Sequence, residues 1–549
     1  MATRPASGEP YGNDENSGSS EHTPLLVVNR GGEILCHGPG PHHQETIAAI
    51  KAARSRYQLP LFVRALVPTP QSSASIISVL CIVIFVGSAA GGFQNMSMTR
   101  IFEDILCRRH YERIHSRDQP ISEEMCKVDT IQSELAYLLA IMNSFNAGFS
   151  VIAALPWGIA ADTIGRRPVF ALSLTGMSLA ILWIMVVGWF HQSIPPRLIW
   201  LSPVAYLLGG GNPALSAAVA SMATDVVSES ERSVSFMRIH GASMVGNLIS
   251  PALASIMMSS TGPWPVLFVA FWLTWLPAFA IFLVPESLGT KSRGDELQPA
   301  HASFKARSLH TLDELKKSVT IFNSPPMIII LLITMLQLAV TLCTFQFLGQ
   351  FTSKRYHIPL ADTGFIQSAY GVAFITVSFF VLPLVSSYVV TLKAPSWFRF
   401  GDEKQRDLFF ARFACAASIV GAFILGLAPS IPVFVLGLCV LAFGAAAESF
   451  LKGVATLFVS PERRSRLFTI LSLAEIASDL WISPALAALF SLGMRLGGIW
   501  MGLPYFGVSI ICVLMLALAL FLRLPKDIGG DERSDSNEDY RSESADPTM

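Results

Sequence analysis

Charged residues are scarce in this chain. Only 14% of its 549 residues are Asp, Glu, Lys or Arg, whereas soluble domains contain about 25%. Together with 52% hydrophobic residues and a mean hydropathy of +0.50, this scarcity excludes an ordinary soluble protein. The 39 basic and 39 acidic residues cancel, so net charge gives no reason to expect a nucleic-acid partner.

Cysteines and catalytic motifs are also few. Eight cysteines in a chain of this length cannot form the dense disulfide framework of a small secreted domain. The sequence has no phosphate-binding loop, no metal-ligand spacing and no nucleophile constellation. We therefore expect no catalytic residues, no metal and no cofactor, which argues against an enzyme or an ATP-driven pump.

Long apolar runs are abundant. A helix needs about 20 apolar residues to cross a bilayer, and twelve stretches qualify, six on each side of a basic linker. This layout predicts an all-α membrane protein whose twelve transmembrane helices form two six-helix bundles. The predicted spans are 73–96, 135–159, 168–190, 198–223, 235–258, 264–284, 325–349, 363–390, 408–428, 431–459, 467–491 and 499–522.

The polar stretches predict the domain boundaries. Residues 1–72 and 523–549 are expected to be disordered cytoplasmic tails, because their composition cannot form a packed core. The bundles then occupy 73–284 and 325–522, separated by a cytoplasmic linker at 285–324. The N-terminal tail shows no signal peptide, and the segment Glu21–Leu26 matches an acidic dileucine sorting signal. We therefore expect an integral protein of the plasma membrane or the vacuolar membrane.

Basic residues predict the orientation. The short loops on one side carry sixteen Lys and Arg residues, and those on the other side carry four. The side with sixteen is expected to be cytoplasmic. The loop 97–134 lies on the opposite, oxidising side and contains Cys107 and Cys126. Two interpretations stay open there, a disulfide and a pair of free thiols.

One short charged loop stands between two predicted spans. Residues 158–168 read Gly-Ile-Ala-Ala-Asp-Thr-Ile-Gly-Arg-Arg-Pro. Gly158 is expected to let its helix approach a neighbour closely, and Gly165 to permit a tight reversal. Asp162 suits the positive N-terminal end of another helix, and Arg166 and Arg167 indicate the cytoplasmic side.

This loop resembles the G-x-x-x-D-x-x-G-R-[RK] motif of the major facilitator superfamily, and the span from about 73 to 525 looks like a transporter of that superfamily. Several other segments resemble fungal relatives of the proton-coupled folate and haem-carrier transporters. These segments are Glu103–Tyr111, Ile131–Ala136, Gln350–Tyr356, Leu492–Gly498 and Pro285–Ser287.

The resemblance implies a secondary transporter that works by alternating access. In that mechanism the charged loop becomes a latch between the two halves. Asp225 is predicted to pair with Arg166 or Arg167, while Asp162 caps the start of the eleventh helix near Arg466. These contacts would hold the outward-facing state.

Ionisable residues inside the spans are candidates for proton coupling, because charge in a bilayer is costly and by default suggests function. Glu448 and Lys452 lie four residues apart on one helix face and can pair; a self-neutralised structural pair is the alternative. Glu475 and Asp479 have the same spacing, and two carboxylates in a low dielectric should share a proton. A structural role between helices stays open for them. His240 titrates in a useful range, although a buried, hydrogen-bonded histidine is the favoured interpretation.

Side-chain amides inside the spans are candidates for substrate contact. An alternative is that they hydrogen-bond one helix to another. The candidates are Asn143, Asn146, Asn212, Gln337 and Gln346.

Together these features predict a proton-driven, monomeric carrier of a small organic solute in the lipid bilayer. The few charges on the cavity helices favour an apolar or amphipathic metabolite or toxic compound, and hence export. Proton-coupled uptake of a folate-like or other nutrient is the main alternative. A non-transporting nutrient sensor of the same fold is the third.

Overall fold

A computed structural model of the chain describes residues 72–112, 122–227, 229–284, 324–385, 403–459 and 464–523. The side chains of residues 162, 163, 229–233, 403, 404, 464–466 and 469 lie outside this description. The predicted tails and central linker also fall outside it, apart from their boundary residues 72, 324 and 523.

The described part of the amino-terminal half contains six α-helices. They are α1 (Ser73–Glu112), α2 (Asp129–Ile164), α3 (Arg166–Trp189), α4 (Gly211–Val226), α5 (Glu229–Thr261) and α6 (Pro263–Ala280). Short 3₁₀ segments precede α2 at Glu123–Lys127 and α4 at Pro196–Leu207, and another, Ile281–Leu283, follows α6.

Among the described residues, the carboxy-terminal half likewise contains six main helices. They are α7 (Pro325–Phe345), α8 (Thr363–Ile375), α9 (Glu403–Leu427), α10 (Ile431–Gly444), α11 (Arg464–Leu496) and α12 (Leu503–Phe521). A short helix α7b (Leu348–Tyr356) follows α7, a π-helical turn (Thr376–Val381) continues α8, and a short helix α10b (Ala447–Ala455) follows α10. Within the described ranges, eleven helical segments are long and apolar enough to cross a membrane.

The fourth predicted span, 198–223, is not one continuous helix. The 3₁₀ segment ends at Leu207, and Gly209 and Gly210 have φ angles of 90° and 85° before α4 begins. Only glycine adopts such angles readily. A Cβ atom on Gly209 would lie 2.2 Å from the backbone nitrogen of Ser173, so this break also lets the chain pass directly against α3.

The predicted loop 97–134 is largely helical, which corrects that expectation. Helix α1 continues to Glu112, and α2 already begins at Asp129. The continuation is stable because Phe102, Ile105 and Leu106 are buried in the amino-terminal core. Charged residues, including the buried Glu103, interrupt the apolar run here, so run length alone did not predict the extension.

The two halves meet along two helix pairs. Helix α2 packs against α11, and α5 packs against α8. In the second pair, the Ser368 hydroxyl donates to the carbonyl of Leu248 at 2.7 Å and accepts from the N–H of Ala252 at 3.1 Å. Within each half, α1 packs on α5 and α6, and α9 packs on α10 and α12.

Candidate functional site

A charged cluster joins α10b to α11. The Lys452 ammonium contacts the Glu448 carboxylate one turn earlier on α10b and lies 3.5 Å from Oε2 of Glu475 on α11. The three side chains are 24%, 34% and 26% exposed, in the order Lys452, Glu448, Glu475. They are therefore neither sealed in the core nor freely solvated.

Asp479 lies one turn farther along α11. Its Oδ1 atom is buried and has no hydrogen-bond partner among the described residues. Its backbone carbonyl accepts a 3.4 Å hydrogen bond from the Ser144 hydroxyl of α2. Asp479 thus stands where the two halves of the molecule touch.

The ion pairs in the structure differ from those predicted for these four residues. Helical spacing predicted two separate pairs, Glu448 with Lys452 and Glu475 with Asp479. Instead, Glu475 also contacts the ammonium of Lys452, so one ammonium faces two carboxylates and one negative charge is in excess when all three groups are ionised. Sequence reasoning missed this contact because α10b and α11 are brought together only by tertiary packing.

The surroundings of His240 differ from those expected from the sequence. It is exposed on α5, and no described residue hydrogen-bonds to its ring. The favoured interpretation of a buried, hydrogen-bonded histidine is therefore wrong. Its helix packs on α1 and α8, whereas the charged cluster belongs to α10b and α11.

The loop between α2 and α3 contains a single non-helical residue, Gly165, with a φ of 109°. Arg166, the next residue, contacts the Asp225 carboxylate and the Ser221 carbonyl of α4. Arg167 donates to the carbonyl of Phe282 at 2.9 Å. These contacts fasten α3 to α4 and to the turn after α6, all within the amino-terminal half.

For two other residues of the predicted latch, Asp162 stays untested and the expectation for Gly158 is wrong. The side chain of Asp162, like that of Arg466, lies outside the described residues, so the contact proposed between the halves stays a prediction. The close approach expected at Gly158 is wrong in this structure, because a Cβ atom there would have no neighbour within 4 Å.

At the opposite end of the bundle, a disulfide joins Cys107 of α1 to Cys126 of the 3₁₀ segment before α2. Beside it, the Glu103 carboxylate is 1% exposed. It accepts hydrogen bonds from Lys127 at 2.6 Å, Gln132 at 2.6 Å and Arg100 at 2.9 Å. A buried carboxylate needs such partners because burial otherwise disfavours its charge.

The same end carries contacts between the two halves. The Lys354 ammonium of α7b lies 2.7 Å from Oδ1 of Asp129 and also donates to the carbonyl of Lys127. The N–H of Leu360 donates to Oε1 of Glu123 at 2.8 Å. We call Arg100, Glu103, Glu123, Lys127 and Lys354 the disulfide-end network. The sequence predicted no contact among these five residues, although Glu103 and Lys354 fall in two of the segments that resemble transporter relatives.

Electrostatics explains the charge state of Glu123. Burial disfavours its carboxylate, but the neighbouring Lys127 ammonium, the Leu360 N–H and the Arg100 guanidinium together outweigh burial. The pKa of Glu123 is therefore lowered from its ordinary value of 4.5, and the side chain is ionised near neutral pH.

Of the five amides predicted to contact substrate, one lines a cavity described below. This is Asn212, at the start of α4. The Asn146 amide donates to Oδ1 of Asn143 at 3.4 Å within α2, so this bond does not join two helices. Gln346 accepts from the Ser483 hydroxyl at 3.1 Å. Gln337 is buried, and its Oε1 has no hydrogen-bond partner among the described residues.

Comparison with known proteins identifies the family. Residues 128–447 match the family model of the Major Facilitator Superfamily. The MFS efflux pump atnC of Emericella nidulans is 27% identical over 438 residues, covering 78% of this chain and 83% of that protein. The MFS-type transporter aprT of Aspergillus flavus is 29% identical over 457 residues, covering 81% and 87%. The same species has an efflux pump, ustT, that is 27% identical over 420 residues, covering 72% and 78%.

Solved structures agree on the fold. The D-xylose-proton symporter superposes with a TM-score of 0.57 at 13% identity, covering 82% of this chain and 98% of that one. The human organic anion transporter MFSD10 gives a TM-score of 0.53 at 16% identity, covering 82% and 100%. The predicted all-α membrane fold of two six-helix bundles is confirmed, and the protein is a multi-pass membrane transporter, not an enzyme. The chain belongs to the major facilitator superfamily.

Proposed function

We propose that this protein exports a small organic solute by alternating access and that protons drive the cycle. Export is supported by relatives named efflux pumps in two fungi. The observation that carries proton coupling is the shared ammonium of Lys452, which faces the carboxylates of Glu448 and Glu475.

The charge balance of the cluster gives the coupling its physical basis. Two carboxylates, those of Glu448 and Glu475, face one ammonium. In a partly buried site of a membrane protein, this excess negative charge is costly, and binding a proton to one carboxylate removes part of the cost. A proton on Glu475 would weaken its attraction to Lys452 and so loosen α11 from α10b.

Loosening α11 would change the contact between the halves, because α11 packs on α2. At the disulfide-end network the halves are already joined through Lys354 and Glu123. With this end on the external face, as the loop charges predict, the structure corresponds to a state closed toward the outside. Proton binding would shift the equilibrium between this state and a state that is open toward the outside.

The first experiment identifies the solute and the direction of movement. Metabolites are compared in deletion and overexpression strains of the source organism. A compound that accumulates inside the deletion strain and appears outside the overexpressing strain supports export. Depletion inside the deletion strain would establish uptake instead, and ligand-dependent signalling without flux in vesicles would establish a sensor.

The second experiment tests the coupling with that compound and purified protein in liposomes. We expect Glu475→Gln to abolish accumulation driven by an imposed pH gradient while retaining solute exchange at equal pH. Glu134→Gln is the matched control, since Glu134 is 55% exposed and its nearest basic group, on Arg197, is 3.9 Å away. Undiminished gradient-driven accumulation in Glu475→Gln would refute the coupling role.

A further inference from the structure

A cavity of about 270 Å³ lies inside the amino-terminal half. Its described lining residues come from α1, α3, α4, α5 and α6, and none comes from the carboxy-terminal half. The volume is close to the lower limit of small-molecule sites, which range from about 300 to 1,000 Å³. It would hold a small ring system or one part of a larger molecule.

Three side-chain amides line this cavity, those of Gln94 on α1, Asn212 on α4 and Asn247 on α5. No described residue hydrogen-bonds to any of these side-chain amides. Each amide offers two N–H donors and one carbonyl acceptor. Amides from three different helices therefore converge on one space with their hydrogen-bonding capacity unused.

The hydroxyl groups of the lining are already engaged. Ser88 hydrogen-bonds to Ser243 at 2.8 Å, and Thr274 donates to the carbonyl of Ala270 at 2.9 Å. Most of the remaining lining is apolar, including Ile84, Phe170 and Met177. The three amides are thus the polar groups best placed to orient a ligand.

The described lining contains no Asp, Glu, Lys or Arg. A charged ligand in such a place would lose its hydration without gaining a counter-charge. An uncharged ligand loses far less, and its carbonyl, amide or hydroxyl groups can pair with the three amides.

Two glycines on α1 provide the room. Gly87 and Gly91 both line the cavity, and a Cβ atom on either would meet no other atom within 4 Å. Neither glycine is required by backbone conformation or by close helix packing. Because neither glycine has a side chain, both leave open volume beside the three amides.

We propose that this cavity is a solute subsite for an uncharged, mainly apolar organic compound that carries carbonyl, amide or hydroxyl groups. The proposal deepens the transport function stated above and rests on it, since it names the chemical class of the transported solute. Gln94, Asn212 and Asn247 are assigned as the residues that determine specificity.

The test uses matched probe pairs that differ in charge. N-acetyltryptophanamide is compared with N-acetyltryptophan, and 2-naphthamide with 2-naphthoate, by equilibrium dialysis against the full chain in lipid nanodiscs at pH 7. We expect both neutral amides to bind and both carboxylates to bind at least tenfold more weakly. Equal binding within the pairs, or no saturable binding of either neutral amide, overturns the proposal.

Variants then locate the binding. Asn247→Leu should weaken amide binding about tenfold, the effect expected for one lost hydrogen bond. Gly91→Leu should abolish binding by filling the space, and it should fold because leucine favours helix over glycine. Gly241→Leu on α5 is the control, because that glycine also has open surroundings but does not line the cavity. Unchanged binding in Gly91→Leu overturns the assignment.

The test of the subsite and the test of the proposed transport function can fail independently. Selective binding of neutral probes without proton-driven transport would refute the coupling and leave the subsite standing. Proton-driven transport of the solute, unchanged by Asn247→Leu and Gly91→Leu, would refute the subsite and leave the transport function standing.

Discussion

Replacement of Lys127 by methionine tests the disulfide-end network most directly. Methionine preserves an unbranched apolar side chain but removes the ammonium that lies 2.6 Å from the Glu103 carboxylate. Glu103 is 1% exposed and Lys127 is 6% exposed, so solvent cannot replace the lost partner. The variant leaves a buried negative charge with fewer compensating groups.

The expected magnitude follows from the remaining contacts. Removing one partner of a buried ion pair costs about 3–5 kcal/mol. Arg100 stays 2.9 Å from Glu103, and Gln132 still donates to it. We therefore expect a loss near the lower limit, about 3 kcal/mol of the unfolding free energy.

A double variant provides the decisive comparison. Glu103→Gln combined with Lys127→Met leaves no unpaired charge at this pair, and Arg100 retains Glu123 at 3.4 Å. We expect this variant to recover about 2 kcal/mol relative to Lys127→Met alone, a coupling within the range known for contacting residues.

The assay is equilibrium unfolding of purified protein in mild detergent, titrated with a denaturing detergent and followed by tryptophan fluorescence. Arg108→Met is the matched control. Arg108 is 55% exposed and pairs with Asp104 on the same helix, so its loss should cost no more than about 0.5 kcal/mol. The reasoning is refuted if Lys127→Met is as stable as this control, or if the double variant is less stable than Lys127→Met.

Two further predictions concern the backbone and acid stability. Gly209→Ala should reduce the unfolding free energy by at least about 2 kcal/mol, because Gly209 has a φ of 90° and a Cβ there would lie 2.2 Å from Ser173. Gly453→Ala, in open surroundings within α10b, should instead stabilise the protein slightly, and equal effects in the same titration would contradict the argument. The pKa of Glu123 is lowered from its ordinary value of 4.5, so ionised Glu123 stabilises the fold fully at pH values above 4.5. This stabilisation is lost as the pH falls through the lowered pKa. Glu123→Gln should therefore be less stable than wild type at pH 7 and equally stable below the lowered pKa; a stability difference that does not shrink on acidification would count against it.

Most of the fold was predictable because hydrophobic length is a local property. Each bilayer-spanning run must satisfy its own backbone hydrogen bonds, so apolar stretches of about 20 residues predict helices wherever they occur. The errors fall where this rule does not apply. Polar residues concealed the helical end of α1 up to Glu112, and the positive φ angles at Gly209 and Gly210 divide the fourth span.

The candidate site was predicted only within single helices. Spacing of four residues correctly places Glu448 beside Lys452 on one face, since such neighbours are fixed by helix geometry. Spacing carries no information on which helices lie side by side. For the same reason, Gln94 and Asn247 were not grouped with Asn212, although an amide inside an apolar span was a usable signal for each.

The sequence by itself determined that this chain spans a membrane as two sets of six helices and that it resembles a transporter family. Those conclusions depend on composition, run length and a loop motif, which are all local along the chain. Only the tertiary structure decided that Glu475 shares the ammonium of Lys452, that Lys354 joins the two halves, and that three amides face one cavity. These partners lie 23 to 227 residues apart in the clearest cases, and the packing of helix surfaces alone brings them within bonding distance.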